Sequence, residues 1–383
     1  MKTRFLTEFM VCAGAAALAS TAIAQEAELV PHDSSLQTTN SQFARFTPTA
    51  EPNRDRIDYA VWDDVLSYVV FRMGRSLRET AGRPDPGLGS RRMYGHDSRY
   101  RLEGNRVLFS FFDADLKATF SAYRLDLQET GAAVNINQLG RNEQLAYWIN
   151  LHNVALVEQI ALNWPVRQPR EIMIDGVPLD DARFITVQGV RLSPKDIRTK
   201  IVYPNWKDPK VIYGFWRGDI GGPSIQGDAF NSDNVGRLLE RGATDFINSL
   251  RGAQKRGDRL QVSTIYEEAR NFYFTDWEKD LRNHIAQYAK DDVAEVLANT
   301  TRSEAVIAEA DIADMAGGVR EPSYSNVTRD GTQISFRVPQ GMARLLSEQQ
   351  RKFEKILREG RTGTVIFNDI QLPGEDPVSN EVQ

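Results

Sequence analysis

One cysteine, Cys12, and four histidines are all the thiol and imidazole that 383 residues supply. With no second cysteine to pair, disulfides cannot staple the fold, so stability has to come from packing. The histidines are scattered, no paired-cysteine spacing exists, and no HExxH, GxSxG or Walker sequence occurs, so neither a metal nor a cofactor is expected. Positive charge is also short. Lys and Arg total 47 against 52 Asp and Glu, giving a net −5 and a pI near 5.6, which leaves no electrostatic footprint for nucleic acid. No apolar run reaches the ~20 residues of a membrane-spanning helix, so the chain is not expected to cross a bilayer.

The N-terminus begins with Lys2 and Arg4, continues through an apolar stretch over 9–19, and reaches Ala22-Ile23-Ala24. That is the charge, apolar core and small-x-small order of a secretory signal. Residues 1–24 are expected to be a signal peptide, placing the protein in the periplasm or outside the cell. Phe9-Met10-Val11 ahead of Cys12 makes no lipobox, so a soluble exported protein is expected rather than a lipoprotein. Clipping would remove the only cysteine and move the net charge from −5 to −6. Residues 25–55 are polar and rich in Ser, Thr, Asn and Pro, as in a flexible leader.

From Asp58 onward, apolar residues recur at steps of three and four up to Leu77, which predicts one long amphipathic helix. A helix is predicted over 113–129, and another over "NEQLAYWINLHNVALVEQIALNWP", apolar around most of its circumference and therefore central. "REIMI", "FITV" and "VRL" read as short strands, the last two joined at Gln188-Gly189. Ser193-Pro194 with Asp196 opens a capped helix. "KVIYGF" reads as a strand, and helices are expected over 233–250, 276–298 and 302–313. After a break at Gly317-Gly318, "TQISFRV", "QGMARLLSEQQRKFEKILREG" and "TGTVIFNDIQL" predict a strand, a helix and a strand. Met342, Leu345, Leu346, Phe353, Ile356 and Leu357 would face inward. The fold class is α+β, a helix-dominated domain over 56–318 with a small mixed or antiparallel sheet, and a β-α-β extension with a polar tail over 319–383.

"SRYRLEGNRVLF", then "LAYWINLHNVALVEQI", "LSPKDIRTKI", an aromatic segment ending in Gly-Pro and "ERGATDFIN" together resemble the bacterial and plant domain of unknown function DUF547. The resemblance is clearest over about 90–285. It implies an acid-histidine pair at the positions of Arg198 and Thr199, a histidine where Ile212 stands, and two cysteines where Arg217 and Gly222 stand. Thiol-imidazole chemistry at that site would be lost in this chain.

Candidate residues follow from the same segments. Asn150 and Asn153 share a side of the central helix, either tying loops to it or orienting a ligand. His152 lies on an apolar stripe. His96 stands in an arginine-rich stretch where Arg99, Arg101 and Arg106, with Arg91 and Arg92 upstream, form an internal salt-bridge network with Asp97 and Glu103 or an anion-binding rim. In "YGFWRGDIGGPSI", Arg217 either faces a ligand or pairs with Asp219. The acidic doublets Asp180-Asp181 and Glu267-Glu268 read as solvated. The functional expectation is a cell-envelope protein that binds a small anionic or peptide-like ligand at Arg217, Asp219, Asn150, Asn153, Arg99 and Arg101, in a cleft between the "YWINLHN" helix and the Arg217 loop. The alternative is a hydrolase or acyl-transfer enzyme using His96 or His152 with Ser98, Ser224 or an activated water. The C-terminal extension is a further candidate, as a docking element for a protein partner.

Overall fold

The computed structural model describes residues 42–83, 94–321, 325–329 and 332–360, which fall within one compact unit, Asn40–Gln383. The expected signal peptide, Arg91 and Arg92, and the strand in "TGTVIFNDIQL" lie outside the described residues. The architecture is α+β and helix-dominated, with short strands gathered into small sheets.

The helix Arg141–Asn163 is the axle of the fold. Eighteen of its 23 residues are buried, including Gln144, Asn150, His152, Asn153 and Glu158. A helix apolar on nearly every face has to be surrounded, and each polar side chain carried inward with it then needs a partner. Gln144 donates to Phe46 O at 2.7 Å, and Glu158 accepts from Arg124 Nε at 2.5 Å. The helix Ala114–Ala133, N-capped by Asp113, packs alongside.

The hairpin Ile185–Val187 with Val190–Leu192 turns on Gln188 and Gly189, both left-handed at φ 48° and 78°, the backbone a two-residue type I′ turn requires. Ser193 then accepts from Asp196 N at 3.0 Å, and Asp196 accepts from Ser193 N at 3.2 Å, closing the capping box. The helix it starts widens into a π-helical stretch, Ile197–Val202, a backbone form found often at functional sites.

Several elements differ from expectation. The first helix is Ala60–Val69; Val70–Phe71 leaves it to pair antiparallel with Arg106–Val107, and Met73 enters a second core instead. "KVIYGF" is not a strand: Asp208 caps Lys210 N at 3.0 Å with Pro209 next, starting the 3-10 helix Pro209–Gly214. Residues 302–313 begin as a strand, Arg302–Ile307, pairing parallel to Arg259–Ser263, itself antiparallel to Ala253–Arg256. Its Glu and Ala suggest a helix, and sheet pairing overrides that preference. The 276–298 pattern divides into Trp277–Tyr288 and Asp291–Ala298, and Ile265–Tyr273 is a further helix.

The C-terminal helix Gln340–Arg358 lies on the same body. Met342 and Leu345 join Phe71, Met73, Leu108 and Met315 in the second core, whereas Leu357 is 49% exposed rather than inward. Arg101 grips Glu348 through Nε and Nη2 at 2.7 and 2.9 Å. Lys352 Nζ is buried and donates to Met73 O at 3.0 Å and Leu102 O at 2.7 Å. No helix among the described residues is long and apolar enough to cross a membrane.

Candidate functional site

Arg198, on the π-helical stretch, is wholly buried beneath two carboxylates. Its Nη1 and Nη2 each meet Asp180 at 2.7 Å, while Nε and Nη2 meet Glu268 at 2.9 Å. Arg217 reaches the same Glu268 at 2.7 and 3.2 Å. Burial opposes the charge on Arg198, and the two carboxylates more than restore it, holding it well above the usual arginine range. Against its own burial, Glu268 is pulled down to about 2 by Arg217 and Arg198, and Asp180 lies below the usual carboxylate range through Arg198. The two arginines and two acids neutralise one another.

His152 closes the inner side. Asn153 donates Nδ2 to Gly214 O at 2.9 Å and accepts Trp216 N on Oδ1 at 3.1 Å, which fixes the orientation of its amide. Oδ1 therefore also accepts from His152 Nδ1 at 3.0 Å, leaving Nε2 as the lone pair that meets Arg198 Nη1 at 3.0 Å. Burial, then Arg198, lowers the imidazole to about 3, so it is neutral with both nitrogens occupied. His96 is buried likewise, its Nε2 against Asp314 O, and burial lowers it to about 3. Among the described residues neither ring meets a hydroxyl: Ser98 Oγ donates to Glu309 at 2.7 Å, and Ser224 Oγ accepts from Asn105 N and Arg251 Nη2, each at 3.3 Å.

Asn150 repeats the Asn153 pattern, donating to Phe230 O at 2.7 Å and accepting from Phe230 N at 3.1 Å. Both asparagines tie loops to the central helix, and Phe215 packs edge-on to His152 at 5.0 Å where a cleft was expected. Asp219 does not pair with Arg217. It accepts from Gly222 N at 2.7 Å, and burial raises it to about 6. Arg99 stacks over Tyr100 and donates to Gln254 at 3.0 Å. Buried Arg106 is met by the carbonyls of Arg101 and Glu103 at 2.7 Å, and Glu103 takes Ser76 Oγ at 2.6 Å rather than a guanidinium. Of Asn150, Asn153, Arg217, Arg99 and Arg101, Arg101 alone lines one of the two cavities that follow.

Two cavities do open nearby. One, of about 350 Å³, is lined by Arg72, Arg75, Arg241, Arg251 and Lys290 against Glu103 and Asp245, with Ser224, Gln226 and Gly227 contributing the end of the "YGFWRGDIGGPSIQG" segment. The other, of about 360 Å³, lies between Arg101, Leu102 and the C-terminal helix. In the first, Arg251 is 3% exposed and spends its Nη atoms on Ile220 O, Gly222 O and Ser224 Oγ. Its Nε is buried with no hydrogen-bond partner among the described residues, and no carboxylate among them lies within ion-pair distance. Burial lowers this arginine from its usual range.

Residues 136–247 match the model of a family described as a protein of unknown function, DUF547. Over that stretch the chain is similar to the DUF547 family. No curated protein and no solved structure matches it. The DUF547 segment holds His152, Asp180, Arg198 and Arg217 but neither Glu268 nor Arg251. Two positions at which the chain departs from the residues the resemblance implies, Arg198 and Arg217, meet on Glu268. Ile212, where that resemblance implies a histidine, is buried core. Sequence reasoning passed over Asp180, Glu268 and Arg251. A signal for the first two was present: Arg198 sits between the inward residues Ile197 and Ile201, and an arginine drawn inside demands carboxylates.

Proposed function

We propose that this protein binds a small anion in the 350 Å³ cavity beside Ser224 and Arg251, without thiol or imidazole chemistry. The observation that carries the reading is Arg251, a buried guanidinium with an unpartnered Nε and no ion-pair partner among the described residues, on a wall where cations outnumber acids. A buried charge without a counterion is costly, and an anion arriving beside it offsets that cost. The volume lies at the small end of ligand pockets, roughly 300–1,000 Å³. Gly227 leaves the space the Arg72 guanidinium uses: a Cβ there would stand 2.7 Å from Arg72 Nη2.

Export to the periplasm or the exterior belongs to the same proposal. It is supported by Lys2 and Arg4, the apolar 9–19 stretch, Ala22-Ile23-Ala24, and the absence of cysteine from 25 onward.

Calorimetric titration with inorganic phosphate tests the binding reading. Saturable binding at one site, weakened at least about fivefold by Arg241→Gln, is expected. Wild-type protein that takes up no phosphate at millimolar concentration overturns it.

A further inference from the structure

Every side chain lining the 350 Å³ cavity that is wholly apolar comes from one element. Phe353 and Ile356 belong to the C-terminal helix; the other lining residues are charged, polar or glycine. That helix lies outside the family segment 136–247, as do Arg72, Arg75, Glu103, Arg251 and Lys290 on the charged wall.

The helix also sets the polar wall in place. Gln349 donates Nε2 to Arg72 O at 2.9 Å, and Lys352 donates to Met73 O at 3.0 Å, fixing the backbone from which Arg72 and Arg75 enter the cavity. Gly74, at φ +73°, lies directly beneath the Phe353 ring; a Cβ there would stand 2.6 Å from Cε1. The ring therefore rests on bare backbone and still reaches the cavity. A fully hydrated inorganic ion gains nothing from a phenyl ring and an isoleucine, whereas a ligand with carbon beyond its charged group removes that surface from water.

We propose that the ligand is an amphiphilic anion: a phosphate or carboxylate held by the arginines and lysine, joined to a small ring or short apolar chain that packs on Phe353 and Ile356. The proposal rests on the anion-binding reading above. The C-terminal helix then acts as a specificity element, choosing among anions by what the charged group is attached to.

Calorimetry with two probes, inorganic phosphate and phenyl phosphate, separates this from the parent reading. Phenyl phosphate should bind wild-type protein at least about tenfold more tightly than phosphate. Phe353→Leu, which keeps an apolar residue on Gly74, should leave phosphate binding unchanged and cut that preference to about threefold or less. Ile356→Val serves as a second, milder variant that shrinks the same wall, and should lower the preference while staying folded at the titration temperature, at a stability cost of about 1 kcal/mol. Arg241→Gln should weaken both probes by the same factor. Equal affinity for the two probes in wild-type protein, or a preference that survives both wall variants, overturns the amphiphile while leaving anion binding standing. Uptake of neither probe overturns both.

Discussion

The Arg198 guanidinium lies 3.0 Å from His152 Nε2 and donates to it, so the imidazole is held neutral by its burial and by the cation beside it. This contact, with Asp180 and Glu268 on the other edges of the same guanidinium, converts the region where the family resemblance implies reactive groups into a closed ionic network.

Removing the cation should be costly. Arg198→Met leaves Asp180 without its cation and Glu268 with Arg217 alone, and denaturant unfolding at neutral pH should show a loss of about 3 kcal/mol. Glu268 titrates near 2 in the folded protein, below its unfolded value, so its contribution is present above about 4.5 and lost as pH falls through about 2. The variant should keep a shallower acid limb, because Arg217 still holds Glu268.

The three buried imidazoles, His96, His152 and His284, should not respond to physiological pH. Burial holds His96 and His152 near 3 and His284 near 4. Nitrogen-15 spectra should show all three neutral from pH 7.5 to 5.5, with His152 protonated on Nδ1. Because their folded values lie below the unfolded one, these histidines stabilise fully above about 6.5, and that stability is lost on acidification.

Asp314 should act in the opposite sense. Its Oδ2 takes Gly318 N at 2.9 Å, Ala316 N at 3.2 Å and Trp164 Nε1 at 3.3 Å, yet burial raises it to about 6. A carboxyl raised this way favours the fold below its unfolded value, near 3.9, and loses that advantage as pH rises through about 6. Asp314→Asn keeps one acceptor oxygen for those donors. Thermal melts should show the variant matching or exceeding wild type at pH 8 and losing its relative advantage at pH 4.

Asn153→Ala removes the amide that ties Gly214 and Trp216 to the central helix. Two buried backbone groups and the His152 Nδ1–H lose their partner, at roughly 1–3 kcal/mol each. Urea unfolding should register a loss of at least about 3 kcal/mol, and Asn153→Ser should recover little, its hydroxyl being too short to span these groups.

The elements legible in the sequence are those governed by neighbouring residues. The central helix is visible in its own apolar circumference, the Ser193 cap in its spacing to Asp196, and the hairpin in Gln188-Gly189. What the sequence hid depends on distant partners. Arg198 finds Asp180 and Glu268 at separations of 18 and 70 residues. Glu267 is about half exposed beside the largely covered Glu268, so that doublet reads as solvated because one of its residues is, and Asp180 keeps an exposed edge of its own. Arg302–Ile307 is a strand only because Arg259–Ser263 lies beside it, and the cavity collects its wall from positions as far apart as Arg72 and Ile356.

The most direct test of the account is an amide chemical-shift map recorded while phenyl phosphate is added. Gly74, Gly104, Gly227 and Gly242 all line the proposed cavity, and glycine amides resonate in a distinctive nitrogen region. The account predicts saturable shifts at those four glycines with Gly214 and Gly218, beside the Arg217 loop, unmoved. Shifts at Gly214 and Gly218 alone, or none at saturating probe, would contradict it.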